Sequence, residues 1–293
     1  MKSAKGSGET TATIAGTARV VGPLLTATAI EQIVEAQRAG AATLECSLDL
    51  QRSTTRVVVA PDHWIWDGRR YGIPDKWNDR TIYYWDGERF EPVSRYVNSL
   101  FKLVPTQWGA PTFEIDGIKM LPTSQGSPYE DAMRKVGYIE PSGKIVLDTC
   151  GGLGYFAAWC LLGRARKIIS FEKSAEVLWL RALNPWSPAA NAALELKQAD
   201  VSAEIATMPP RSCDAILHDP PRFGIAGELY SQVFYDQLAR VLKPHGRLFH
   251  YTGSPNRLTS GRDVPNEVAG RLRKAGFTVK LKGDGVIGVK ESA

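Results

Sequence analysis

The 293-residue chain has few of the residues that mark disulfide-rich and metal-binding proteins. It contains four cysteines, which form no Cys-x-x-Cys pair and have no partnering histidines at the spacing of a zinc site. We therefore expect neither a disulfide framework nor a bound metal. Free cysteines are typical of a reducing compartment, and we expect a cytoplasmic location.

The sequence also has no hydrophobic run long enough to cross a bilayer. Its most apolar N-terminal segment, residues 14–30, is interrupted by Arg19, Gly22 and Pro23, and Glu9 stands where a signal peptide would be basic. A transmembrane helix needs about 20 mainly apolar residues. We therefore expect no contact with a membrane. Residues 1–12 are expected to form a flexible tail.

The excess of positive charge is small and confined to the second half of the chain. The whole sequence has 36 Lys and Arg against 31 Asp and Glu, a net charge of +5. Residues 1–125 hold 14 of each sign, whereas residues 126–293 hold 22 basic and 17 acidic residues. A basic half is consistent with a polyanionic partner such as RNA, but an ordinary solvated surface gives the same balance.

Short β-type runs dominate residues 13–121, which we predict to form a small, mostly β accessory domain. One helix is predicted at Ala29–Ala39. The β-type runs after it are separated by turn dipeptides such as Asp67-Gly68 and Asp116-Gly117. Five of the eight tryptophans precede residue 109. Aromatic residues on short strands usually pack in a core, and a stacking surface for nucleobases is the alternative.

Residues 122–293 alternate between apolar strands and helices. The predicted strands are Lys144–Asp148, Lys167–Phe171, Leu194–Gln198, Asp214–His218 and Gly246–Tyr251, and the predicted helices are Tyr155–Leu162, Ala175–Leu183 and Gly227–Leu242. This alternation indicates an α/β fold with a parallel sheet covered on both faces. Two final runs, Phe277–Lys282 and Val286–Lys290, form a predicted antiparallel hairpin. A Rossmann-like parallel sheet that ends in such a hairpin is the class I methyltransferase architecture, not that of dehydrogenases.

A glycine-rich turn follows the first of these strands, in the segment IVLDTCGGLGY (residues 145–155). Strand, glycine turn and helix N-terminus form a cradle for a nucleotide cofactor. The glycine spacing differs from the dinucleotide fingerprint, and Lys-Ser/Thr of a phosphate loop is missing. An acid at the strand end favours a ligand with ammonium and hydroxyl groups, and S-adenosylmethionine fits. The residues expected to contact it here are Asp148, Thr149, Gly151, Gly152, Gly154 and Tyr155.

Acidic residues also follow the second and third strands. Glu172, next to Lys173, is placed to accept hydrogen bonds from ribose hydroxyls. Asp200 is placed to receive the adenine amino group, with Val201 covering the ring, because ligands bind beyond the carboxyl ends of strands in open sheets. A helix N-cap is the alternative role for Asp200.

The fourth strand ends in His218-Asp-Pro-Pro-Arg-Phe223. Prolines remove backbone donors and stiffen the loop. We predict that Asp219 and the Pro220 carbonyl accept hydrogen bonds from an amine that receives a methyl group, with Phe223 stacking on it. His218 and His250 at strand ends are alternative proton acceptors, although packed histidines are more common there. Tyr155, Phe223 and Tyr251 are possible pocket walls.

The residues from about Phe113 to Lys290 resemble class I S-adenosylmethionine-dependent methyltransferases, and more narrowly a group that is widespread in archaea. The segments that carry this resemblance are FEIDGI (113–118), PYEDA (128–132), LDTCGGLGY (147–155), NPWS (184–187), HDPPRF (218–223), GELYS (227–231) and HYTG (250–253). The resemblance implies cofactor contacts at Asp148, the glycine turn, Glu172 and Asp200, and substrate contacts at Asp219 and Pro220. It also implies methylation of cytosine N4 in ribosomal RNA. Amino-methylating enzymes on nucleobases typically have an aromatic residue directly after Asp-Pro-Pro, where this chain has Arg222.

These features predict a cytoplasmic S-adenosylmethionine-dependent N-methyltransferase acting on an exocyclic amine of an RNA base. The alternatives are a small-molecule amine N-methyltransferase, an aminopropyl transferase on the same scaffold, and an inactive cofactor-binding or assembly module. The sequence leaves the acceptor and the oligomeric state open.

Overall fold

A computed structural model describes residues 12–13, 22–124, 126–253 and 263–292. The predicted tail lies almost wholly outside these residues. Ala12–Thr13 forms a short strand, β1, which pairs antiparallel with residues 197 and 198 of the large sheet described below. None of the helices in the described part of the chain combines the length and apolar character that crossing a bilayer requires.

The first half of the chain consists of small antiparallel sheets around one helix. The helix α1 spans Ala27–Arg38, and the Thr26 side chain caps it by accepting a hydrogen bond from the Ala29 amide. Its buried residues Ile30 and Ile33 recur at helical spacing and pack against the strands. The strands are β2 (Leu24–Leu25), β3 (Thr43–Cys46), β4 (Thr55–Val59), β5 (Trp64–Trp66), β6 (Arg69–Tyr71), β7 (Tyr83–Trp85), β8 (Phe90–Pro92), β9 (Ser94–Val97), β10 (Ser99–Val104), β11 (Thr112–Ile115) and β12 (Ile118–Lys119).

Three antiparallel sheets result, in the orders β2-β7-β8, β3-β4-β5-β6 and β12-β11-β10-β9. The predicted turns Asp67-Gly68 and Asp116-Gly117 join β5 to β6 and β11 to β12, and all four residues have positive φ. Consecutive positive φ angles match the twist of a two-residue hairpin, which is why Asp-Gly is favoured there. The predicted β-rich character of this region is confirmed.

The second half begins with a helix, α2 (Pro128–Gly137), and then alternates strand and helix. The further elements are β13 (Ile145–Asp148), α3 (Tyr155–Leu162), β14 (Lys167–Glu172), α4 (Ala175–Leu183), β15 (Leu194–Gln198), α5 (Val201–Glu204), β16 (Cys213–His218), α6 (Gln232–Val241), β17 (Leu242–Tyr251), α7 (Val264–Lys274), β18 (Phe277–Lys282) and β19 (Gly285–Lys290). The sheet order is β1-β15-β14-β13-β16-β17-β19-β18. Strands β13 to β17 are parallel, whereas β19 is antiparallel to both of its neighbours.

This sheet confirms the predicted fold class. The strand order reverses at β13, which has β14 on one side and β16 on the other, and such a switch point creates a crevice at the carboxyl ends of the strands. Val146 and Leu147 of β13 are both fully buried because helices cover both faces of the sheet.

One predicted helix, Gly227–Leu242, is wrong in its extent. The segment is divided into a 3₁₀ turn at Gly227–Tyr230 and the helix α6. The cause is Ser231, whose hydroxyl accepts a hydrogen bond from the Phe234 amide at 3.1 Å and so caps a new helix. The predicted strand Gly246–Tyr251 also starts earlier, since β17 follows α6 directly at Leu242.

The hydrophobic core is continuous between β10–β11 and the α/β part of the chain. Leu103 and Phe113 belong to the same buried cluster as Phe156 and Leu180, which lie on α3 and α4. The Trp186 indole also donates a hydrogen bond to the Leu50 carbonyl at 3.0 Å. A separate core, around α1, is formed entirely by residues of the first half. The change of architecture near residue 121 is therefore not a break in packing.

Candidate active site

A cavity of about 470 Å³ opens at the carboxyl ends of the parallel strands. One wall is the glycine turn with Glu172, and another is the loop that follows β16. The segment 118–124, which leads from β12 toward α2, forms a third, and α2 itself contributes Asp131 and Lys135. Of the residues predicted to form the site or its walls, the cavity is lined by Gly151, Gly152, Gly154, Tyr155, Glu172, Asp219, Pro220 and Tyr251.

Glycine is needed at the positions of this turn for different physical reasons. A Cβ at Gly151 would lie 2.4 Å from the Ser170 hydroxyl, and one at Gly154 would lie 2.5 Å from the Arg181 guanidinium carbon. At Gly152 the nearest atom would be 3.9 Å away, on the ring of Phe113. Gly151 and Gly154 are thus required by packing of the turn on the protein. Gly152, with φ of +49°, leaves bare backbone facing the cavity, where a ligand can approach closely.

Glu172, at the end of β14, ties the turn in place. One carboxylate oxygen accepts a hydrogen bond from the Gly152 amide and the other from the Ser174 amide, each at 2.9 Å. Burial raises the pKa of Glu172, and these amide bonds oppose that shift. A carboxylate oxygen accepts more than one hydrogen bond, so Glu172 keeps acceptor capacity toward hydroxyl groups of a ligand in the cavity.

Asp148 lies beneath the turn. It is fully buried, and one carboxylate oxygen accepts a hydrogen bond from the Ser170 hydroxyl at 2.8 Å, whereas the other has no partner among the described residues. Burial raises the pKa of Asp148 to about 6, opposed by Ser170 and by Arg181. Arg181 of α4 is itself only 3% exposed. None of its three guanidinium nitrogens has a hydrogen-bond partner among the described residues. The guanidinium packs against Gly154 of the turn, and its positive charge lowers the pKa of Asp148 and of Glu172.

Thr149 is buried as well and connects the turn to β16. Its hydroxyl lies 2.7 Å from the His218 ring and 3.2 Å from the Leu217 carbonyl. Neither Asp148 nor Thr149 lines the cavity, so both are placed to shape the glycine turn from behind.

Asp219 and Pro220 face the cavity from the opposite side. Burial raises the pKa of Asp219 to about 6, while Lys135 of α2 lowers it and Asp131 and Asp284 raise it. The loop is anchored by the Tyr230 hydroxyl, which donates a hydrogen bond to the Pro221 carbonyl at 3.1 Å. Asp219 is therefore a carboxylate at a cavity wall, 19% exposed and beside an ammonium group.

Besides Asp148 and Thr149, three further predicted cofactor residues and one predicted catalytic residue are not among those lining the cavity. Lys173 and Asp200 bind each other at 2.7 Å, and Asp200 caps α5 by accepting from the Ser202 amide, as the N-cap alternative predicts. Val201 is buried in the core. The Phe223 ring packs against Tyr230 with centroids 5.4 Å apart, whereas the preceding Arg222 lines the cavity.

Both strand-end histidines are fully buried and away from the cavity lining. His218 contacts the Thr149 hydroxyl and, at 3.1 Å, the Leu229 carbonyl. His250 contacts the Tyr235 hydroxyl at 2.9 Å and the Tyr251 carbonyl at 2.8 Å. Burial lowers the pKa of His218 to about 4 and that of His250 well below its ordinary value, so both rings are neutral at pH 7. They are packed histidines, the more common alternative.

Sequence reasoning missed Asp131, Lys135 and Arg181. Asp131 and Lys135 are four residues apart on α2, a spacing at which opposite charges meet on a helix surface, and this could have been read from the sequence. The position of Arg181 could not, because it depends on how α4 packs beneath a turn 27 residues earlier in the chain. Within the described residues no cluster of His, Cys, Asp or Glu fits a metal ion.

The residues present fit an adenosine-containing cofactor. The bare backbone at Gly152 allows close approach, and Glu172 offers a carboxylate at the same wall. The volume of about 470 Å³ is also in the range of small-molecule sites.

No protein-family model matches the chain. The uncharacterized protein MJ1233 of Methanocaldococcus jannaschii is 41% identical over 206 residues, 70% of this chain and 70% of that protein. A spermidine synthase solved in complex with the transition-state analogue AdoDATO is similar in structure, with a TM-score of 0.55 at 17% identity, over 67% of this chain and 72% of that chain. The spermidine synthase of Thermotoga maritima gives a TM-score of 0.50 at 16% identity, over 67% of this chain and 71% of that chain. The chain thus belongs to the family of the M. jannaschii protein and has the Rossmann-like fold shared by class I methyltransferases and spermidine synthases.

Proposed function

We propose that the protein is an S-adenosylmethionine-dependent N-methyltransferase whose acceptor is the exocyclic amine of a base in RNA, with cytosine N4 of ribosomal RNA as the specific candidate. One observation carries the proposal: the Glu172–Gly152 wall and the Asp219–Pro220 wall face the same cavity. A cofactor site and an acceptor site are thereby joined in one volume, as group transfer requires.

On the cofactor side, Gly152 and Glu172 are the residues that hold the adenosine part. Glu172 is already fixed by two backbone amides, so it binds ribose hydroxyls without losing much side-chain entropy. S-adenosylmethionine, when bound, supplies a methyl group on a positively charged sulfonium, which is activated toward a nucleophile. Asp148 and Arg181 act indirectly, by keeping the turn in shape.

On the acceptor side, Asp219 accepts a hydrogen bond from the amine. An exocyclic amine is a weak nucleophile because its lone pair is delocalised into the ring. A carboxylate that accepts a hydrogen bond from its N–H favours localisation of the lone pair on the nitrogen, where it can attack the methyl group. Alignment of two reactants supplies up to about 7–11 kcal/mol of a barrier. Pro220 and Pro221 hold φ fixed and so keep the carboxylate in place. After transfer, Asp219 can accept the proton that the amine releases.

The opening of the cavity supports a nucleic-acid acceptor. Lys119 and Arg222 both line the cavity and are exposed, so they are available to phosphate groups. Ile118 and Ile225 line it too and are 43% and 61% exposed. Exposed aliphatic side chains beside cations suit a base that leaves its stack and enters a pocket while its backbone remains outside.

A small-molecule amine acceptor is the alternative, and the spermidine synthase neighbours add aminopropyl transfer to a cationic amine. Asp131 and Asp284 near Asp219 favour a cation. However, Lys135 pairs with Asp131 at 2.7 Å, and Arg134 contacts both Asp131 and Asp284. Two protein cations therefore already occupy these acids, which makes a neutral amine the better acceptor. An inactive binding module is the remaining alternative.

The test is transfer of a labelled methyl group from S-adenosylmethionine into fractionated RNA, polyamines and small metabolites, with mass analysis of the product. We expect label in RNA, as an N-methylated base. Label in a metabolite or polyamine alone would show that this compound, and not RNA, is the acceptor. Saturable cofactor binding without transfer to any fraction would favour the inactive module.

Binding of RNA at several salt concentrations adds a matched comparison. Lys119→Met should reduce the salt dependence of binding by about one counterion. The control is Lys243→Met, at the opposite end of the sheet, which should leave the salt dependence unchanged.

A further inference from the structure

Lys135 of α2 is a buried lysine whose ammonium faces the cavity. Its side chain is 1% exposed, and its Nζ lies 2.7 Å from an Asp131 carboxylate oxygen and 3.9 Å from one of Asp219. The same Nζ lies 3.6 Å from the centroid of the Tyr251 ring, within cation–π range. An ammonium is costly to bury without partners, and here Asp131, Asp219 and the Tyr251 ring offset that cost.

The Lys135 ammonium is within hydrogen-bond distance of the Asp131 carboxylate but too far from the Asp219 carboxylate to donate a hydrogen bond to it. At 3.9 Å the Asp219 carboxylate feels the positive charge while its oxygens remain free to accept hydrogen bonds from another group. Asp131 holds the ammonium back by its shorter contact. The two carboxylates therefore compete for one cation.

The other titratable groups facing Asp219 come from several elements. Those acting on its pKa besides Lys135 are Asp131 and Asp284, which raise it. Asp148 lies beneath the glycine turn, while Glu172 and Arg222 line the same cavity. Burial raises the pKa of Cys150, Tyr230 and Tyr251, so these three groups are neutral at pH 7. Among these groups Lys135 is the cation whose contact with Asp219 the geometry establishes.

We propose that Lys135 is a positioning residue that keeps Asp219 ionised and open as a hydrogen-bond acceptor, and that Asp131 limits how strongly Lys135 acts. The inference rests on the proposed function, in which Asp219 receives the acceptor amine. A protonated Asp219 would present a hydroxyl donor to the amine in place of a second acceptor oxygen. Lys135 therefore extends the pH range over which the acceptor amine is oriented.

The direct test is a ¹³C carboxyl NMR titration of the full chain, in which Asp219→Asn identifies the Asp219 signal by its loss. The wild-type midpoint is expected near 6. Lys135→Met should raise it by about one unit or more, because an opposite charge is removed. Asp131→Asn should lower it, because a like charge is removed and the ammonium is released toward Asp219. Lys135→Arg keeps the charge and should retain a midpoint well below that of Lys135→Met.

The matched control is Lys243→Met, which removes a lysine bound at 2.6 Å to Asp214, at the amino end of the strand that Asp219 follows. It should leave the Asp219 midpoint unchanged. An unchanged midpoint in Lys135→Met, or shifts of the same sign in Lys135→Met and Asp131→Asn, would overturn the inference. If Lys135→Met fails to fold, the predicted decrease in Asp131→Asn decides in the same way.

A second readout separates this inference from the proposed function. The pH profile of methyl transfer should lose activity on the acid side, and in Lys135→Met that loss should move to higher pH by the same amount as the NMR midpoint. Opposite midpoint shifts in a protein that transfers no methyl group would support the role of Lys135 and refute the proposed function. Methyl transfer with a pH profile unaffected by Lys135→Met would support the proposed function and refute the role of Lys135.

Discussion

The region beneath the glycine turn and the wall across the cavity each contain an aspartate at the end of a strand, fully buried in the case of Asp148 and 19% exposed in the case of Asp219. Asp148 and Asp219 have the same raised pKa, about 6, and burial is the main cause for both. Asp148 is sealed in by the turn and accompanied by a buried arginine, whereas Asp219 lines the cavity beside a lysine. A perturbed pKa therefore does not by itself identify a catalytic group. Access to the cavity distinguishes the two.

The sharpest way to break this comparison is to remove the cation beneath the turn. Arg181→Met should lower the free energy of unfolding by about 3–5 kcal/mol, because it leaves buried acids without their counter-charge. Urea unfolding measures it, and adding Asp148→Asn should recover part of the loss. A decrease below about 1 kcal/mol, the size expected of a surface pair, would mean that Arg181 does not support the turn.

Removing the carboxylate across the cavity should affect turnover instead of folding. Asp219→Asn should reduce the methyl-transfer rate by about 10²-fold or more, since the amide cannot act as a carboxylate acceptor. Cofactor affinity, measured by calorimetry, should remain nearly intact.

Asp214→Asn is the control for this substitution, because Asp214 lies near the start of the same strand, where it binds Lys243. It should leave turnover unchanged. Equal losses of turnover and cofactor affinity in Asp219→Asn would remove Asp219 from the acceptor side.

Substitutions of two glycines of the turn compare its protein-facing side with its cavity-facing side, with smaller expected effects. Gly154→Ala should cost about 1–3 kcal/mol of stability, because its φ is +81° and its new methyl group would meet the Arg181 guanidinium. Gly152→Ala adds its methyl group on the open side, with only the strain of a left-handed residue, about 1–2 kcal/mol. It should chiefly weaken cofactor binding.

Thermal unfolding and a cofactor titration on both variants check this prediction. If Gly152→Ala binds the cofactor as tightly as the wild type, Gly152 does not face the ligand.

The sequence predicted the sheet well, because continuous apolar strands, glycine turns and a terminal hairpin are local patterns. Helices α3 and α4 and the strands β15 and β18 have the bounds that these patterns predict. Glu172, Gly152 and Asp219 lie at the cavity because parallel strand ends meet at one edge. Their roles remain predictions.

Other parts of the site depend on distant packing and could not be predicted. Arg181 reaches the turn only through the docking of α4. The segment 118–124 becomes a cavity wall because Met120 and Leu121 pack on the core shared with the α/β part. Asp200 and Phe223 illustrate the converse. Each follows a strand as the site pattern requires, but neither lines the cavity: Asp200 binds the Ser202 amide and the Phe223 ring packs on Tyr230.

The most direct test is a crystal structure of the protein with S-adenosylhomocysteine, the product left after methyl transfer. The account predicts that the ribose hydroxyls of the ligand contact Glu172 and that the ligand passes over the backbone of Gly152. Its sulfur should face Asp219 and Pro220 within the cavity. A ligand bound elsewhere, or a cavity that stays empty at saturating concentration while the protein remains folded, would contradict it.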